Sequence, residues 1–162
     1  MVDMVLGRLD RGVAASIALG RWLVLPVSLL LFLQWRLRDL VHAYSNEAND
    51  LAQWLFAIYV SLALTAATRE GSHLAADAFA QRYGAATRTA IHRIASLVFL
   101  VPWSLFILIA GAPMVWRSVQ ELEAFPETYD PLYFVIKASA WLLALLALMQ
   151  ALIDLWGRAR AP

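Results

Sequence analysis

His42, His73 and His92 are the only imidazoles in the chain, and there is no cysteine. A bis-histidine haem needs two imidazoles at matching depth on facing helices. These three fall at or beyond the ends of the apolar blocks and on different sides of the membrane topology derived below, so they read as exposed structural residues. Without a thiol, disulfides, iron–sulfur ligation and thiol catalysis are removed. Glu70, His73 and Asp77 come nearest to a metal motif. A His and an Asp at i and i+4 permit ligation, but the same spacing serves a surface pair that supports a helix, and that is the expected role. No Asp or Glu lies in the middle of any apolar block, so the intramembrane carboxylate of a proton-coupled carrier is missing. Neither a catalytic residue, a metal nor a cofactor is expected.

The elements that would position such residues are set by composition. Of 162 residues, 62% are hydrophobic and 15% charged, with mean hydropathy +0.64, whereas a soluble domain carries about a quarter charged. The excess gathers into four blocks near the ~20 residues that cross ~30 Å of hydrocarbon. A soluble enzyme and a disordered tail are thereby excluded. A net charge of +1 gives no basic face for nucleic acid.

The spans are expected at about 17–35, 51–68, 94–116 and 132–156 of one membrane domain, 1–162. Basic residues before the first apolar run resemble a signal peptide, but Arg21 interrupts the run and no small-residue cleavage site follows, so it is expected to be retained. Arg21, one turn inside the first span, can extend to the headgroups. Asn49 or Asp50 can cap the second span. The third contains Pro102, where a kink is expected, and ends near Gly111 and Pro113. Asp130-Pro131 offers the fourth a cap followed by Pro at the first helical position, and Lys137 in its second turn can snorkel outward.

Arg8, Arg11, Arg21, Arg69, Arg82, Arg88, Arg93, Arg158 and Arg160 fall on one side, against Arg36, Arg38, Arg117 and Lys137 on the other. The richer side should be cytoplasmic, which puts both termini there and the segments 36–50 and 117–131 outside. The outer segments carry Asp39, Glu47, Asp50, Glu121, Glu123, Glu127 and Asp130. These acids are expected to be solvated and to complement helix N-termini, and Glu47, Asp50, Glu127 and Asp130 would also face a docking partner.

Between the second and third spans, His73, Asp77 and Gln81 form a polar stripe, with Leu74, Ala78 and Phe79 on the adjoining apolar face. A helix over about 72–83 would lie in the membrane interface or pack on a partner subunit. Within the spans Gln53, Ser61, Thr65, Ser104, Ser139 and Gln150, with Gln34 near the end of the first, suit interhelical hydrogen bonds. Small residues around Ala57, Ser61, Leu64 and Thr65 would admit a close neighbour. Most of the seven Trp are interface anchors, with Trp103 and Trp141 set deeper between helices. The fold class is all-α, an integral membrane four-helix bundle with one added cytoplasmic-side interfacial helix.

From about Leu23 to Leu155 the chain resembles the DctQ-like small membrane subunits of tripartite ATP-independent periplasmic (TRAP) transporters. The resemblance rests on Gln34-x-x-x-Arg38 leaving the first span, NEANDLAQWLF with Glu47 and Trp54, ATREGSHLAAD with Arg69, Gly71, His73 and Asp77, and YDPLYFVIKASAWLLALLALMQAL with Lys137 and Gln150. The His-to-Asp spacing is one residue longer than the family's usual His-x-x-Asp. The resemblance implies a helper subunit of the bacterial inner membrane: a large multi-span subunit carries the transport domain and sodium sites, and a periplasmic solute-binding protein delivers an organic acid or similar solute. Membrane lipids are the remaining partner, and Gln34, Arg38, Glu47, Asp50, Arg69, His73, Leu74, Asp77, Phe79, Glu127, Asp130 and Lys137 are the interface candidates. A membrane anchor for a redox complex is the rival reading; it would need paired histidines in the spans.

Overall fold

A computed structural model describes residues 2–41, 45–70 and 84–156. The described chain is helical, with four helices long and apolar enough to cross a membrane. They are α1 (Val2–Val41), α2 (Asn46–Glu70), a rod composed of α3 (Ala85–Ala95), a π-helical turn (Ser96–Leu100) and α4 (Val101–Gln120), and α5 (Tyr133–Trp156). The interfacial helix expected over 72–83 lies outside the described residues.

The first three spans exceed the lengths read from hydropathy, while α5 matches its expected 132–156 to within one residue. Composition marks only the apolar stretch, while helical hydrogen bonding continues into flanking polar residues. The 40 residues of α1 make a rod of roughly 60 Å at ~1.5 Å per residue, about twice the hydrocarbon thickness. The third span does not stop near Gly111 and Pro113 but runs through both to Gln120. Proline at 113 removes one hydrogen bond, and the apolar flanks carry the helix past it. At Pro102 the expected distortion takes a specific form: Val101 N–H donates five residues back to Ser96 O, so the turn before the proline is widened.

Two helix starts differ from expectation. The cap of α2 is Ser45, whose Oγ accepts from Ala48 N–H at 3.2 Å and donates to Glu47 at 2.9 Å, so Asn49 and Asp50 are inside the helix. Pro131 and Leu132 form a turn, and α5 begins only at Tyr133. The backbone there is held by the loop: Phe134 N–H donates to Glu123 O at 3.3 Å.

α1, α2 and α5 share one core, with Val13, Ile17, Leu62, Leu146 and Ile153 buried and Leu9, Leu23, Ile58, Ala66, Leu142 and Met149 packed around them. α4 packs against α5. α5 is therefore the most enclosed span, 39% of its apolar window buried against 11% for the rod ending in α4. α1 comes close to α2 at Gly20, where an added Cβ would stand 2.7 Å from Leu62 Cβ. Around Ser61 and Thr65, where small residues were expected to admit a neighbour, both side chains turn inward and Ser61 meets the α5 backbone, while Leu64 is exposed.

Candidate functional site

Two polar ends flank the apolar middle. At the loop end, α2 starts beside α1, since Gln34 Nε2 donates to Ser45 O at 3.4 Å. The segment 121–132 closes the α4–α5 connection. Its Phe125 is buried and meets the Tyr133 ring edge-on at 5.2 Å. Phe125 N–H donates to Asp130 O, and Tyr129 N–H to Phe125 O, both at 2.9 Å. Leu122 and Tyr129 take left-handed backbone angles, φ 47° and 60°, and both project outward.

Glu123 locks this loop. Its carboxylate accepts from Ser118 Oγ on α4 and from Lys137 Nζ on α5, the latter at 2.5 Å. Those two donors, Lys137 before Ser118, hold the Glu123 carboxyl below the usual carboxylate range. The Lys137 ammonium also stands 5.4 Å from the Tyr133 ring centre. Lys137 is thus tied to the loop rather than extended freely outward. A second tie joins the loop to α2: Thr128 Oγ1 donates to Asp50 Oδ2 at 2.5 Å.

Asp50 is only 6% exposed. It therefore leaves the acidic rim expected for a docking partner, because its short side chain turns into the bundle toward Thr128. Glu47 and Glu127 are exposed, and Asp130 is half-buried.

At the Arg69 end, Arg69 Nη2 meets Asp10 Oδ1 at 2.8 Å, linking α2 to α1. Arg21 Nη2 meets Glu70 Oε1 at 3.3 Å. Gly20 is level with Leu62, two turns from Glu70, so Arg21 reaches back along α1 toward its N-terminal end. That is the direction in which a helical side chain leans.

Between the ends, the polar residues of the spans serve contacts. Ser61 Oγ donates to Ser139 O at 2.7 Å across α2 and α5. Trp141 Nε1 donates to Leu108 O at 3.1 Å across α4 and α5. Ser104 and Gln150 are buried, whereas Gln53 and Trp103 are exposed. Among the described residues no group of three or more His, Asp or Glu could hold a metal ion.

The structure therefore gathers Gln34, Glu47, Asp50, Glu127, Asp130 and Lys137 at the loop end and Arg69 at the other. His73, Leu74, Asp77 and Phe79 lie outside the described residues, and Arg38 is placed only as part of α1. Sequence reasoning missed Asp10, Ser45, Ser118 and Thr128 and gave Glu123 no specific role. Ser45 carried a local signal, a serine just before Asn46-Glu47; the others act through partners distant in sequence.

Residues 27–160 match the family model described as tripartite ATP-independent periplasmic transporters, DctQ component. No curated protein and no solved structure matches the chain.

Proposed function

The chain belongs to the DctQ family, the small membrane subunits of tripartite ATP-independent periplasmic transporters, and from that premise we propose that it is the non-catalytic scaffold of a binding-protein-dependent, ion-gradient-driven carrier of organic acids or related solutes. Its partners are the large membrane subunit, the periplasmic solute-binding protein and lipid. The observation that carries this reading is the seam between the spans. Its buried polar groups are Ser61, Thr65, Ser96, Ser104, Ser118, Ser139 and Gln150, with Asp50 at the loop end. Ser61, Thr65 and Ser139 donate to carbonyls one turn back, Ser61 reaches Ser139 O on the next helix as well, and Ser118 donates to Glu123 in the loop. Such groups join helices; they do not converge on a solute.

The nine-to-four asymmetry in Lys and Arg supports a cytoplasmic Arg69 end and a periplasmic loop end. Glu47 and Glu127 then face the periplasm and steer a basic surface of the binding protein. Segment 72–83 braces the cytoplasmic side through Leu74 and Phe79. Replacing both by Asp tests this: weaker co-purification with the large subunit is expected, and unchanged assembly and uptake would reduce the segment to a solvated connector.

The scaffold role is tested by solute dependence. Conservative changes in the seam, such as Ser61→Ala, should lower the amount of assembled transporter and leave the half-saturating solute concentration unchanged. A shifted half-saturation at normal assembly would place the solute path in this chain.

A further inference from the structure

The apolar core has a polar cap at the Arg69 end. On α1, Asp10 lies three residues before Val13; on α2, Arg69 lies three residues after Ala66; on α5, Gln150 lies between Met149 and Ile153 and four residues after Leu146. All of those apolar neighbours belong to one packed cluster. Residues three and four apart share a helix face, so the three stripes that build the core also carry Asp10, Arg69 and Gln150 in its half nearer Arg69. The heights agree. α2 and α5 run parallel with an offset of 78 residues, set by Ser61 against Ser139. That offset puts Arg69 level with Ala147, one turn from Gln150.

Two atoms here are shut from solvent and have no hydrogen-bond partner: Arg69 Nη1, a donor, and Gln150 Oε1, an acceptor. Gln150 is 2% exposed, and its Nε2 donates to Asp154 Oδ1 at 2.9 Å. A carboxylate cannot donate, so that contact fixes the amide orientation and leaves Oε1 as the spare acceptor. A buried polar atom without a partner carries its full desolvation cost, and internal water is the usual bridge where two or more polar partners face one small space.

We propose that the cap is a hydration site, in which one water molecule accepts from Arg69 Nη1 and donates to Gln150 Oε1. It completes a chain of contacts from Asp10 through Arg69, the water and Gln150 to Asp154, stapling α1, α2 and α5. A metal cation does not suit this place, because the Arg69 guanidinium would repel it. An anion is opposed by Asp10 and Asp154.

The test is a double-mutant cycle on the full chain in lipid nanodiscs, read as thermal unfolding. Arg69→Lys keeps a cation for Asp10 and removes the second guanidinium nitrogen; Gln150→Leu removes the acceptor. The loss of the donor to Asp154 occurs in both backgrounds and cancels in the cycle. The expected result is that each single variant unfolds at a lower temperature, and the double variant no lower than the weaker single. Independent, additive losses overturn the site. Should a variant fail to insert, a wild-type map that resolves water decides alone. A peak within about 3 Å of both atoms is expected, and an empty place or a direct Arg69–Gln150 contact overturns the proposal.

Discussion

Glu123 is bonded on both sides, to Ser118 and to Lys137, and its titration should be felt by the whole loop. Its folded-state pKa is lowered, so its stabilising contribution is complete above the unfolded carboxylate value, about 4.3, and is lost as pH falls through the lower folded value. Glu123→Gln should therefore remove part of the acid-induced loss of stability below about pH 4, measured as unfolding temperature against pH in detergent. An identical acid limb would show that the latch does not contribute. The exposed acids behave differently. Single exposed charges contribute about 0–1 kcal/mol, so Glu47→Gln is paired with Glu127→Gln. The pair should slow encounter with the binding protein, with the deficit shrinking at high salt. If uptake keeps the same dependence on binding-protein concentration at every ionic strength, docking does not use these residues. The role of Asp50 could not be read from its neighbours, because a helix-start acid looks alike whether it faces water or a threonine 78 residues away.

Helices were the most legible elements, because hydropathy reports the bilayer directly; their ends were not, because caps and turns depend on tertiary contacts. Ser45 and the late start at Tyr133 are such cases. The distortion near Pro102 was legible from one missing N–H, but its π-helical form was not. Pro102→Ala restores the donor and should let the rod from Ala85 to Gln120 regularise, seen as slower hydrogen exchange of amides 97–101; unchanged exchange would mean that packing on α5, not proline, widens the turn. Gly20 sets the α1–α2 distance, and no sequence period pointed to it, since the neighbour it admits is Leu62 on another helix. Gly20→Ala forces its Cβ against Leu62 Cβ and should destabilise the chain by about 1–3 kcal/mol, measured by thermal unfolding in detergent. A neutral result would mean that α1 can move off α2 freely.

For the whole molecule, the four spans were readable from composition, while the way α5 binds α2 on one side and α4 on the other emerged only from packing. Alternating spans put Arg21, Arg69, Glu70 and Asp10 at one end and the 121–132 loop at the other. Reporter fusions within Glu121–Glu127 and at Pro162 should report opposite sides, with Pro162 cytoplasmic; the same side for both would overturn the topology. The central claim is that this chain supports a carrier and does not itself carry solute. It is tested most directly by uptake into proteoliposomes holding this chain alone, the large subunit alone, or both, each supplied with the loaded binding protein and an ion gradient. The account predicts uptake at full rate with both subunits and none above empty liposomes with this chain alone, and saturable uptake by this chain alone would contradict it.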